Sequence, residues 1–121
     1  MSSVYENDLI RIEVETSEVP WLKIFTKEDK KEFSECMVKT RKEVHRVLHV
    51  IELEMLEYYQ PEKINIASFG NVLPQVHWHI MARFENDSYF PEPMWGEKQR
   101  DGTLELPSIV SFLTRLIDKI S

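Results

Sequence analysis

Hydrophobic residues recur along this chain at two spacings, one of two residues and one of three to four. In LIRIEVE (Leu9–Glu15), Ile10, Ile12 and Val14 alternate with Arg11, Glu13 and Glu15, the pattern of a strand with one buried face. Thr16-Ser17-Glu18 makes a polar turn. VPWLKIF (Val19–Phe25) then predicts a second strand, with Pro20 near its start, where a missing N–H does least harm. KINIASFG (Lys63–Gly70) predicts a third strand, and GNVLPQVHWHIMARF (Gly70–Phe84) a fourth. In the fourth, Val76, Trp78, Ile80, Ala82 and Phe84 share one face, while Gln75, His77, His79, Met81 and Arg83 share the other.

The longer period belongs to two helices. Thr26 is placed as an N-cap, with Glu28 and Asp29 suiting the positive end of the helix dipole. An apolar stripe follows through Phe33, Met37, Val44, Val47, Leu48, Ile51, Met55 and Tyr58, interrupted only by Thr40. Pro61 predicts an end near Tyr59, because the residue before a proline is disfavoured in helix. From Glu85 to about Leu106 no period is visible, and a loop of that length in a small domain is commonly functional. Pro107 then opens a second amphipathic helix carrying Ile109, Val110, Phe112, Leu113, Leu116, Ile117 and Ile120. The order ββ–α–ββ–loop–α predicts an α+β fold, an antiparallel sheet with helices on one face.

Length and charge narrow the function. A chain of 121 residues makes a single domain, residues 1–121. A formal net charge of -6 argues against a general nucleic-acid binder, although a local pocket can still take a nucleotide. One cysteine, Cys36, allows no internal disulfide and fits a reducing compartment. The start MSSVYENDLI is too polar for a signal peptide, and no apolar run approaches the ~20 residues that cross a bilayer. A cytoplasmic protein with no membrane partner is the expectation.

The pair His77 and His79 carries the candidate chemistry, and three readings are open. The first is a polar rim, weakened because the opposite face already supplies the core. The second is a metal site, for which two imidazoles at i and i+2 need a third or fourth ligand. His45 and His49, spaced i and i+4 on the long helix, flank its apolar stripe, and no HExxH or CxxC pattern is present. The third is phosphate chemistry. A neutral imidazole can attack phosphorus, a second can donate to its oxygens, and a turn such as Gly70-Asn71 can cradle an anion with backbone N–H groups.

The line Gln75-Val76-His77-Trp78-His79-Ile80-Met81, preceded by Gly70-Asn71, resembles the active-site strand of the histidine-triad (HIT) superfamily of nucleotide hydrolases and transferases. That signature is His-φ-His-φ-His-φ-φ with φ apolar; glutamine stands here at the first histidine. Ala82-Arg83-Phe84, Asp87 and Pro93-Met94-Trp95-Gly96 are similar to a bacterial branch with Gln at that position. The resemblance implies an antiparallel sheet of about five strands, a long central helix, a C-terminal helix and a homodimer. It implies a nucleotide phosphoanhydride or phosphoramidate hydrolase with a nucleotidyl-histidine intermediate and no required metal or cofactor. His77 matches the nucleophile, His79 the histidine on phosphate oxygens, and Gln75 an amide orienting substrate or leaving group. Asn65, Gly70 and Asn71 match phosphate- or ribose-contacting positions, and Trp95 reaches the pocket from the long loop. Val72 stands where a hydroxyl residue is frequent, and Glu18-Val19-Pro20-Trp21-Leu22 replaces the usual Pro-Gly-His segment. Those departures keep a second expectation open, a non-catalytic nucleotide-binding or sensing module.

Overall fold

In the computed structural model, which describes residues 3–121, five strands form one antiparallel sheet: β1 (Ser3–Glu6), β2 (Ile10–Val14), β3 (Trp21–Thr26), β4 (Lys63–Ala67) and β5 (His77–Arg83). Residues 1 and 2 of the expected domain lie outside the described part. The strand order is β1-β2-β3-β5-β4, so the histidine strand runs between β3 and the edge strand β4. Two helices, α1 (Val38–Tyr59) and α2 (Ile109–Ile120), complete the α+β fold. None of the described helices is long and apolar enough to cross a membrane.

The alternating strands do what their period demands. Ile10, Ile12, Leu22, Ile24, Ile80 and Ala82 are fully buried and meet Val44, Val47, Ile51 and Met55 from α1. Phe112, Leu116 and Ile120 of α2 join the same core. Glu54 is the one charged residue of α1 fully out of water; its carboxylate accepts from Arg115 at 2.6 Å and from Lys119, fastening α2 to α1. β1 was not legible as a strand, since its four residues are too few to show a period.

Four expected boundaries are corrected, the first being the end of the third expected strand, which as β4 stops at Ala67 and not at Gly70. The long helix starts at Val38, not just after Thr26. Thr26 ends β3 opposite Ile10, and its hydroxyl donates to the Glu28 carbonyl at 2.7 Å instead of capping a helix. The next residues are held to the sheet, by Lys27 N–H on the Leu9 carbonyl and Val76 N–H on the Lys30 carbonyl. Phe33 therefore sits in a single 3-10 turn (Phe33–Glu35), while Thr40, the apparent gap in the stripe, is buried on the core face. At the other end α1 stops at Tyr59 as Pro61 requires, with Gln60 left-handed.

The fourth strand begins at His77 rather than Gly70. Gly70 takes φ +64, a conformation that costs glycine little, and the chain turns until Gln75 N–H reaches the Leu73 carbonyl. Finally, α2 begins at Ile109 with Ser108 as its cap, whose Oγ accepts from Val110 N–H, so Pro107 precedes the helix rather than opening it.

Candidate active site

On the face of the sheet away from the helices, β5 presents His77, His79, Met81 and Arg83, as its period predicts. Phe25 and Lys23 of β3 stand opposite His77 and His79 on one side, and Ala67 of β4 stands opposite His79 on the other. The two imidazole rings are 5.1 Å apart, centre to centre. His77 stacks on Phe25 at 5.0 Å and 18°, and the guanidinium of Arg11 covers Phe25 at 4.3 Å.

Hydrogen bonds select a tautomer for each histidine. Nδ1 of His77 lies 2.8 Å from the backbone carbonyl of Gln75, which can only accept, so Nδ1 carries the proton and Nε2 keeps its lone pair. His79 has the opposite arrangement. The indole N–H of Trp21, which can only donate, points at Nδ1 of His79 at 3.0 Å, leaving the ring proton on Nε2. Burial, with help from the neighbouring His77 and Lys23, pushes the His79 pKa down to about 4. His79 is thus a neutral N–H donor at physiological pH, beside an imidazole with a free lone pair.

A cavity of about 450 Å³ opens over both rings, lined also by Phe69, the turn residues Gly70, Asn71, Val72 and Leu73, and Trp95 from the long loop. Trp95 stands edge-on to His79, Trp21 and Phe69, with ring centres about 5 Å apart in each case. A second cavity of about 320 Å³ lies beyond the Phe69–Trp95 pair and includes Asn65 and Lys63.

The loop that delivers Trp95 is tied down by buried charge. Arg83, 1 % exposed, donates through Nε and Nη2 to Asp87, which is completely buried. The same guanidinium reaches the Asn65 side-chain oxygen at 2.8 Å and the Glu92 carbonyl at 2.7 Å. Asp87 also accepts from the backbone N–H groups of Phe84, Tyr89 and Phe90. Burial alone would raise the Asp87 carboxyl; Arg83 and those N–H groups outweigh it and hold it below the ordinary range.

Five of the seven predicted site residues therefore converge on one cavity: His77, His79, Gly70, Asn71 and Trp95. Gln75 lies outside that lining. Its side-chain amide donates to the Thr26 carbonyl at 3.1 Å, and it meets His77 through its backbone. Asn65 lines the second cavity instead, engaged by Arg83. Among the described residues no three His, Cys, Asp or Glu side chains gather as a metal site; His45 lies on α1 against Phe33. Trp21, Phe25 and Phe69 were not singled out from the sequence, because only the strand register and the turn bring them beside the histidines.

The HIT domain family matches residues 3–86. Among solved structures, a histidine triad protein from Bradyrhizobium japonicum superposes with a TM-score of 0.81 at 24% identity, over 99% of this chain and 90% of that one. A histidine triad protein from Marinobacter aquaeolei gives 0.83 at 22% identity, with the same coverage. One from Sinorhizobium meliloti gives 0.77 at 25% identity, over 96% of this chain and 87% of that one. No curated protein gives a significant match.

Proposed function

The chain belongs to the HIT domain family, and from that premise we propose that it hydrolyses a nucleoside phosphoanhydride or phosphoramidate through a nucleotidyl-His77 intermediate. The observation that carries this reading is the paired tautomers, a free Nε2 lone pair on His77 beside an N–H donor on His79.

In the first step Nε2 of His77 forms a bond to phosphorus, and the bond to the leaving group breaks with its electron pair going to that group. The positive charge developing on the imidazole is met by the Gln75 carbonyl at Nδ1–H. Nε2–H of His79 and the Gly70-Asn71 turn donate to the non-bridging oxygens as charge moves onto them. In the second step water bonds to phosphorus, the N–P pair returns to Nε2, and the water's proton goes to solvent. The scheme balances without a metal or cofactor. Gln75 acts as a positioning residue, consistent with a Gln-x-His-x-His branch of the family, and Asn65 acts through Arg83.

The test is rapid quenching with labelled nucleotide substrates. An acid-labile phospho-histidine is expected in the wild type and absent in His77→Ala, with turnover lowered roughly 10³-fold or more. Wild-type turnover in His77→Ala would overturn the mechanism. Tight nucleotide binding without that intermediate would favour the binding or sensing module, which the engagement of the Gln75 amide by the Thr26 carbonyl and the absence of a hydroxyl at Val72 support. The working unit in this reading is a cytoplasmic homodimer joined through α1, where Leu53 and Leu56 are exposed. Light scattering at monomer mass would remove the dimer.

A further inference from the structure

The polar turn between β2 and β3 ends on an exposed carboxylate whose partner lies 70 residues away in the long loop. Oε1 of Glu18 accepts from the Ser88 N–H at 3.1 Å, and Oε2 accepts from the Ser88 hydroxyl at 3.0 Å. That hydroxyl accepts in turn from the Gly102 N–H at 3.0 Å. The Ser88 carbonyl accepts from the N–H groups of Gln99 at 2.7 Å and Arg100 at 3.2 Å. The Arg100 guanidinium donates to the carbonyls of Asp87 and Phe90, at 2.7 Å each. Ser88, with every polar group engaged, is therefore the neck at which residues 88–100 close into an Ω-loop.

The neck is packed as well as bonded. A Cβ on Gly102 would collide with Oε2 of Glu18 and stand 2.7 Å from the Ser88 hydroxyl. Glycine at 102 is what lets the carboxylate close over this point. An exposed glutamate in a surface turn is ordinarily a solvated charge. Glu18 instead accepts two bonds from one residue, over a position kept clear of any side chain.

The loop above that neck carries Trp95. Its ring centre is 5.0 Å from that of His79, 5.1 Å from Trp21 and 4.8 Å from Phe69. Two ties fix the loop at consecutive residues. Asp87 is held from β5 by Arg83, a buried pair that sets where the loop begins. Ser88 is held from the β2–β3 turn by Glu18. A loop tied at one point can swing about it, whereas a second tie to a different element sets its angle. The same turn leads within three residues to Trp21, whose N–H faces His79. Both indoles beside that histidine are thus referred to one turn, Trp21 through the chain and Trp95 through the Glu18 carboxylate.

Resting on the nucleotidyl-transfer reading above, we propose that Glu18 is a positioning residue for the candidate site. Through Ser88 it sets the angle of the 88–100 loop and so seats Trp95 against His79. Without it the loop pivots on Asp87, Trp95 lifts, and water reaches the His79 ring. The charged groups that act on that ring are His77 beside it on β5, Lys23 opposite it on β3, and Glu15, which Lys23 engages at 3.0 Å. His77 and Lys23 disfavour the imidazolium and Glu15 favours it. Glu18 is not among them, so its removal acts on His79 by admitting water and not by deleting a charge.

The test is NMR titration of the His79 ring, which needs no turnover. In Glu18→Ala its midpoint should rise from about 4 to roughly 5, as burial is relieved. Gly102→Ala should give the same rise, because it pushes the carboxylate off Ser88 and leaves every ionisable group in place. Glu18→Ala/Ser88→Ala should match Glu18→Ala alone, since both changes cut one tie; additive shifts overturn the route through Ser88. Lys98→Ala breaks the exposed Lys98–Asp101 pair on the same loop and should leave the midpoint where it was. An equal rise there overturns the assignment to the neck. In the two single variants at the neck, Glu18→Ala and Gly102→Ala, kcat/KM on nucleoside phosphoanhydrides should fall roughly three- to tenfold. A midpoint that stays at about 4 in either of them overturns the positioning role, whatever the turnover. A raised midpoint in a protein that cleaves no nucleotide keeps the positioning role and overturns the hydrolase reading alone.

Discussion

On the helix side of the sheet, Ile12, Leu22, Ile24 and Ile80 are sealed beneath α1 and α2 by apolar contact. On the other side Met81 and Arg83 are just as deeply buried, but beneath an irregular segment fastened by Arg83 and Asp87. Apolar burial is non-directional, so the first face tolerates small displacements as long as volume is filled. The second face depends on a hydrogen-bonded ion pair whose partners fix direction as well as distance. His77 and His79 lie where that polar fastening gives way to the open cavity. His79, 9 % exposed, is dry enough to stay neutral, while the cavity above it stands open. The geometry of the candidate site is thus set by the less forgiving of the two faces.

Breaking the polar face should have the largest effect. Arg83→Met keeps much of the volume but strands Asp87 as a buried, unpaired carboxylate. It should cost about 3–5 kcal/mol in urea unfolding, and it should remove most hydrolysis, because Trp95 loses its anchor through Glu92. Ile51→Ala on the apolar face should cost a comparable ~2–5 kcal/mol. Below its melting temperature, however, that variant should keep near wild-type kcat/KM. Equal losses of activity per kcal/mol in the two variants would erase the distinction between the faces.

Acid should act on the polar face in two stages. Between about pH 6.5 and 4, an unfolded chain takes up a proton at residue 79 that the folded one refuses, so stability falls with pH across that window. Asp87 has a depressed folded pKa, so its contribution is present above its ordinary value and is lost as pH falls below about 4. Thermal melts from pH 7 to 3 should show both stages. His79→Asn should flatten the first and leave the second, and an unchanged first stage would remove His79 as its source.

Legibility in the sequence follows the same division. The apolar face was readable because its signal is periodic. Four strands and the C-terminal helix came from spacing of Ile, Leu, Val and Phe, and the end of α1 from Pro61. Where hydrogen bonds overrule spacing, the reading failed. Thr26 has the sequence of a helix cap yet ends β3, and Lys27 and Lys30 after it are tied to Leu9 and Val76 by backbone hydrogen bonds no pattern encodes. His77, His79, Gly70 and Asn71 were readable as neighbours because they lie close in one segment. Trp21, 58 residues from its partner His79, was not, since only the β3–β5 register brings it there.

Trp21→Phe gives the smallest and most specific lesion. It keeps a smaller aromatic ring against Trp95 and removes the N–H that faces Nδ1 of His79. Losing one hydrogen bond of this kind is worth about 1 kcal/mol, a roughly five- to tenfold drop in kcat/KM. The pH profile separates positioning from packing. With no donor on Nδ1, the imidazole protonates more readily, so the acid limb attributable to His79 should move up from about 4 toward the ordinary histidine value. A packing defect that leaves His79 dry would lower the rate at every pH and leave that limb where it was. If the limb stays fixed while the rate falls, Trp21 supports the site only by filling space. The tautomer of His79 must then be set by another group.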